Sequence, residues 1–215
     1  MKNESILVWD RHTRIFHWLL VLSFSFSLTT GLLGDIDLMD WHMISGYSIL
    51  GLLIFRSLTG VFGKDYGRFS RFSLSPKSVI AYLKGDGNFV GHNPLGSWMV
   101  IVMLVALLLQ ALSGLMTSDD IFVEGPWVMW VSDDWVSWAG QLHGVMFRVL
   151  IALVALHLLA ILFYRVVKKQ PLVVAMISGR KLSHNDNEAA TNISISRLLV
   201  LVVIAITASW LLVAI

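Results

Sequence analysis

Five predominantly apolar stretches, at 15–33, 43–62, 95–117, 142–167 and 195–215, constrain this chain more than any other feature. A bilayer core about 30 Å thick is crossed by about 20 apolar residues in a helix. Lipid offers backbone groups no hydrogen-bond partner, so runs of this length are helical. The predicted fold is an all-α integral membrane helical bundle. Composition agrees, with 56% hydrophobic and only 14% charged residues among 215, against about 25% charged in an ordinary soluble domain. One compact bundle fits the length. The first stretch is too long for a signal-peptide core and lacks a small-residue cleavage site, so it reads as a retained helix.

The charges predict an orientation. Lys2, Arg11 and Arg14 precede the first span, and Lys64, Arg68, Arg71, Lys77 and Lys84 lie between the second and third. Arg165, Lys168, Lys169, Arg180, Lys181 and Arg197 follow the fourth. The connections 34–41 and 118–141 contain no Lys or Arg but hold Asp35, Asp37, Asp40, Asp119, Asp120, Glu124, Asp133 and Asp134. The positive-inside rule places the N-terminus in the cytoplasm and the C-terminus outside. The net charge is only +2, and the basic residues border spans rather than forming one patch, so nucleic acid is not an expected partner. Trp127, Trp130, Trp135 and Trp138 mark the 118–141 connection as an interfacial aromatic belt, with a partner-docking face as the alternative. The polar stretch 168–194 reads as a mobile linker to the fifth span.

The chain has no cysteine. That excludes disulfides, iron–sulfur clusters and covalent haem attachment. It has histidines inside or beside the spans. His143 and His157 are fourteen residues apart, about 3.9 helical turns and about 21 Å, so they face nearly the same way at two depths. His17 and His42 each lie near the end of another span. Intramembrane ionisable residues are costly and are functional candidates by default. Depth pairs His17 with His157 and His42 with His143. Pairs this far apart cannot converge on one tetrahedral zinc or copper ion. Bis-histidine haem iron needs two imidazoles only. The expectation is therefore two stacked, non-covalent b-type haems, rather than four unrelated core histidines.

Other residues share this register. Gly31 follows His17 by fourteen residues and Gly46 follows His42 by one turn. Each lets a helix approach a flat macrocycle, or serves ordinary small-residue packing. Arg56, fourteen residues after His42, and Arg14 are candidates for the carboxylates of the cytoplasmic-side haem. Snorkelling to lipid headgroups is the alternative for both. Arg148 is a weaker candidate for the outer haem, because its face differs from that of His143 by about 140°.

Several stretches resemble one family. They are V-W-D-R-H-T-R-I-F-H-W at 8–18, W-H-M-I-S-G-Y at 41–47, G-H-N-P-L-G at 91–96, L-H-G-V-M-F at 142–147, A-L-H at 155–157 and A-M-I-S-G-R-K at 175–181. Their order and spacing resemble the bacterial cytochrome b561 and nickel–iron hydrogenase b-type cytochrome family. The resemblance implies a four-helix diheme core over residues 1–181, with axial ligands at His17, His42, His143 and His157. It leaves 182–194 as a polar linker and 195–215 as an accessory fifth helix outside the family's pattern. It also implies a bacterial cytoplasmic (inner) membrane and electron exchange between an extracytoplasmic partner, such as a c-type cytochrome or a hydrogenase, and membrane quinone. His92, at the mouth of the third span, is then a candidate quinone or proton partner near the inner haem, with a capping role as the alternative. His12 and His184 receive no ligand role. A self-contained quinone-linked oxidoreductase, similar to family members that oxidise superoxide, and a haem-free anchor or transporter are the competing readings.

Overall fold

The computed structural model describes residues 4–85, 89–183 and 189–214. Among these, five helices are long and apolar enough to cross a membrane. They are α1 (Arg11–Leu33), α2 (Ile36–Phe62), α4 (Pro94–Leu115), α5 (Asp133–Val166) and α7 (Ile195–Val213). Two short helices, α3 (Pro76–Leu83) and α6 (Leu172–Ser178), lie between spans. The protein is an all-α integral membrane bundle.

Local chemistry sets the helix ends. Asp10 caps α1 by accepting the Thr13 N–H at 2.8 Å, as carboxylates do at a helix start. Gly34 ends α1 with φ 64°, a left-handed conformation that favours glycine. Asp35 then caps α2 through the Asp37 N–H. Asn93 caps α4 through the Gly96 N–H at 2.7 Å, with Pro94 at the first helical position.

Two helices start seven or more residues before their apolar stretches. α2 begins at Ile36 and α5 at Asp133. The extra turns carry Asp37 and Asp40 in one case, and Asp133 and Asp134 in the other. Carboxylates there oppose the positive end of the helix dipole. Hydropathy is blind to that term, so the polar first turns read as part of the connections. Trp135 and Trp138 therefore lie on α5, with ring centroids 5.3 Å apart.

The stretch expected to be a mobile linker is partly ordered. It contains α6 and a strand, β2 (Arg180–Ser183), which pairs antiparallel with β1 (Glu4–Leu7). Leu7 faces Arg180 in that register. Ile6, Val8, Trp9 and Ala175 are buried together beneath the ribbon. The partner strand lies at the opposite end of the chain, which explains why local composition missed it. His184 lies outside the described residues.

The membrane core joins four helices. Ile49 and Leu53 of α2, Ala106 and Leu107 of α4, and Leu150 of α5 form one buried cluster, with Leu20 and Phe24 of α1 against it. Lipid is as apolar as these side chains, so close packing holds them together rather than exclusion of water. α7 packs on α2. A Cβ at Gly51 would stand 3.4 Å from Ser209 Oγ, and Ser209 Oγ donates to the Tyr47 carbonyl at 3.3 Å. Trp127 Nε1 donates to the Leu212 carbonyl at 2.7 Å, tying the α4–α5 connection to the end of α7.

Candidate functional site

The structure brings His42 and His143 together. Their ring centroids are 6.1 Å apart with planes at 83°. Each ring is fixed in the same way from the preceding helix. His42 Nδ1 donates to the Ser27 carbonyl at 2.8 Å, and His143 Nδ1 donates to the Gln110 carbonyl at 3.0 Å. A carbonyl only accepts, so Nδ1 carries the proton in both rings and Nε2 of each is the nitrogen left to bind a ligand.

The supporting residues repeat between the two hairpins. The accepting carbonyl at position i is followed by a hydroxyl at i+3 and a glycine at i+4. Thr30 Oγ1 donates to the Ser27 carbonyl, and Ser113 Oγ donates to the Gln110 carbonyl, each at 3.0 Å. The glycine then leaves room for the imidazole. A Cβ at Gly31 would stand 2.8 Å from His42 Cε1, and one at Gly114 would stand 3.0 Å from His143 Cε1. Gly31 thus seats a histidine ring. Gly46 has open space where a Cβ would be. Ser27, Gln110, Ser113 and Gly114 were missed in the sequence. T-G-L-L at 30–33 and S-G-L-M at 113–116 form a weak internal repeat that points to the two glycines.

Both histidines line a cavity of about 490 Å³ between α1, α2, α4 and α5. Its walls include Phe24, Leu28, Met43, Leu107 and Phe147. Gln110 enters it, with Nε2 donating to His143 Nε2 at 3.0 Å and Oε1 buried without a protein partner. Two imidazoles binding one metal from opposite sides at about 2.0–2.1 Å have centroids roughly 6 Å apart. The donor set, its spacing and the apolar walls fit a flat macrocycle with an imidazole on each face.

His17 and His157 lie close enough to interact electrostatically at the other end of the bundle. The His17 ring stands edge-on to Trp18 at 5.0 Å, and its Nδ1 is buried without a protein partner. A buried ring nitrogen of this kind calls for a partner that the protein itself does not supply.

The remaining candidates, Arg148 apart, spread over the same end. Arg56 is buried, at 4% exposure, with its guanidinium 4.7 Å from the Phe69 ring centre and within electrostatic reach of Asp10. Arg14 Nη1 donates to the Ile177 carbonyl, while its Nε is buried without a partner. Arg148 is exposed beside Phe147. His92 is held between Trp9 and Phe72, with ring centroids at 4.5 and 5.0 Å. Burial, then the charges of Arg56 and Lys181, push its pKa down to about 3, so the ring is neutral. It borders a cavity of about 240 Å³ with Tyr66, Arg71 and Phe89. Lys181 donates to the Val90 carbonyl at 3.0 Å, and burial lowers its pKa to about 8. His12 is buried against Asp10, with Nδ1 3.1 Å from Oδ1.

Fold and site together define a multi-pass membrane protein whose helices present imidazoles to one another inside the bundle. Residues 8–179 match the family model for prokaryotic cytochrome b561, and the chain belongs to that family. It is a membrane b-type cytochrome of electron transfer. α7 lies beyond the matched residues. No curated protein is similar enough to the chain to count as a match.

Proposed function

We propose that this cytochrome moves electrons across the bacterial cytoplasmic membrane through two b-type haems, between an extracytoplasmic redox partner and membrane quinone. His42 and His143 hold one haem, and His17 and His157 the other. When bound, the haems supply reversible one-electron chemistry at two depths. The observation that carries this reading is the His42–His143 pair, 6.1 Å apart, with each Nδ1–H committed to a carbonyl. Such a bond fixes the tautomer, aims Nε2 and raises its basicity.

The other residues take supporting roles. Gly31 and Gly114 seat the two rings, and Gly46 keeps the adjoining wall open. Arg14 and Arg56 supply positive charge at the His17–His157 level, which suits the carboxylates of that haem. His92, a neutral ring beside an aromatic-walled cavity, offers a hydrogen-bond partner to a quinone carbonyl. The arginine- and lysine-bearing face lies in the cytoplasm, and the acidic connections face outward, where they steer a basic partner such as a c-type cytochrome.

Haem stoichiometry and spectra of the purified protein test this reading. Two haems per chain with reduced b-type absorption are expected. One haem per chain, or none, overturns it.

A further inference from the structure

Two buried ionisable side chains at the α1 N-terminus, Asp10 and His12, take no part in the function above, and Arg56 of α2 is buried near them. Asp10, His12 and Arg56 are 3, 6 and 4% exposed. Asp10 Oδ1 accepts the Thr13 N–H at 2.8 Å and lies 3.1 Å from His12 Nδ1. A carboxylate only accepts, so His12 Nδ1 carries the proton and Nε2 is the nitrogen left to be protonated. Gly67 closes over the carboxylate, where a Cβ would stand 3.3 Å from Asp10 Oδ2. Arg56, on α2, lies within electrostatic reach of the pair and is held against Phe69. Asp10 at the N-cap and Arg56 are the charged groups facing His12. Arg56 and Lys181 in turn both act on His92.

Charge balance gives the cluster its function. Asp10 and Arg56 cancel, so His12 at rest is a neutral imidazole. A proton added to it leaves one uncompensated positive charge in a poorly solvated place. His17 lies five residues further along the same helix, about 7.5 Å of rise. An electron arriving there supplies the missing negative charge over a short, weakly screened distance.

We propose that the His12–Asp10 pair is a redox-coupled protonation site, taking up one proton when one electron enters at the His17–His157 pair. The inference rests on those two histidines being haem ligands. The electron comes from a membrane quinol or, in a titration, from a mediator dye. With a haem held between His17 and His157, its iron would take up the electron while one aqueous proton adds to His12 Nε2 and the Nδ1–H bond to Asp10 is kept. No other bond forms or breaks, and the charge of the region is conserved. Reoxidation releases the proton.

A spectroelectrochemical titration of the full-length protein in detergent tests this between about pH 5.5 and 8.5, the range in which histidine changes charge. One proton per electron lowers the midpoint potential by about 59 mV per pH unit, the one-electron equivalent of a tenfold change. The haem lost in His17→Ala should show a slope approaching that value, and the other haem should not. His12→Gln should flatten the slope. Asp10→Asn keeps a capping side chain but should move the sloping region to lower pH, because the imidazolium loses its counter-ion. His92→Phe should leave the slope in place. A slope that survives His12→Gln, or that disappears in His92→Phe, overturns the proposal. Failure of the ligand reading looks different, because His17→Ala and His157→Ala would then leave the haem count unchanged.

Discussion

The imidazoles of His42 and His143 stand 6.1 Å apart, centre to centre, with planes nearly perpendicular. They come from helices separated in sequence by α3 and α4. Each is anchored by Nδ1 to a carbonyl one helix upstream, at Ser27 and Gln110. The two anchors make equivalent use of α1 and α4, so the site is built from two similar hairpins facing each other.

Histidine substitutions are expected to act in pairs. His42→Ala and His143→Ala should each remove the same haem and leave the other. His17→Ala and His157→Ala should remove the complementary one. Haem content and the low-temperature spectrum of each variant check this. Loss that crosses the pairs would refute the assignment.

Gly31→Ala and Gly114→Ala should disturb the same haem as His42→Ala. A new Cβ would lie 2.8 Å from the His42 ring or 3.0 Å from the His143 ring, so the imidazole must move. Overpacking of this kind costs about 1–3 kcal/mol. The readout is faster loss of that haem to an apoprotein acceptor, with the second haem retained. Gly46→Ala meets open space and should have the smaller effect.

Lys181 predicts a dependence of stability on pH. Burial lowers its pKa from 10.5 to about 8. Between those values the unfolded chain binds more protons than the folded one, so stability rises with pH across that window. The full rise is worth roughly 3 kcal/mol. Unfolding in detergent from pH 7.5 upward should show it, and Lys181→Met should remove it. An identical profile in the variant would contradict this account.

α7 should be separable from the haem-binding core. Its ties to the rest of the protein include the Trp127 indole on the Leu212 carbonyl and the contact of Ser209 with Gly51 and Tyr47. Trp127→Phe removes one hydrogen bond, worth about 0.5–1.5 kcal/mol. Faster hydrogen exchange at the end of α7 is expected, with the haem content of the purified protein unchanged. Haem loss in this variant would mean that α7 supports the site directly.

Sequence by itself determined the five spans, because about 20 apolar residues have one stable arrangement in lipid. It also determined which histidines can share a face, because fourteen residues bring an α-helix nearly back to its starting angle. The alternation of basic and acidic connections was equally local. Tertiary structure alone decided the rest. The carbonyls of Ser27 and Gln110 carry no sequence signal, since every residue has one, and only helix packing selects which of them meets an imidazole. The β1–β2 ribbon joins segments from opposite ends of the chain, beyond the reach of any local pattern. The burial of His12 against Asp10 and Arg56 likewise depends on where α1, α2 and the turn at Gly67 meet. Periodicity fixes direction along one helix, whereas contact between helices is fixed by shape and charge at the places where they cross.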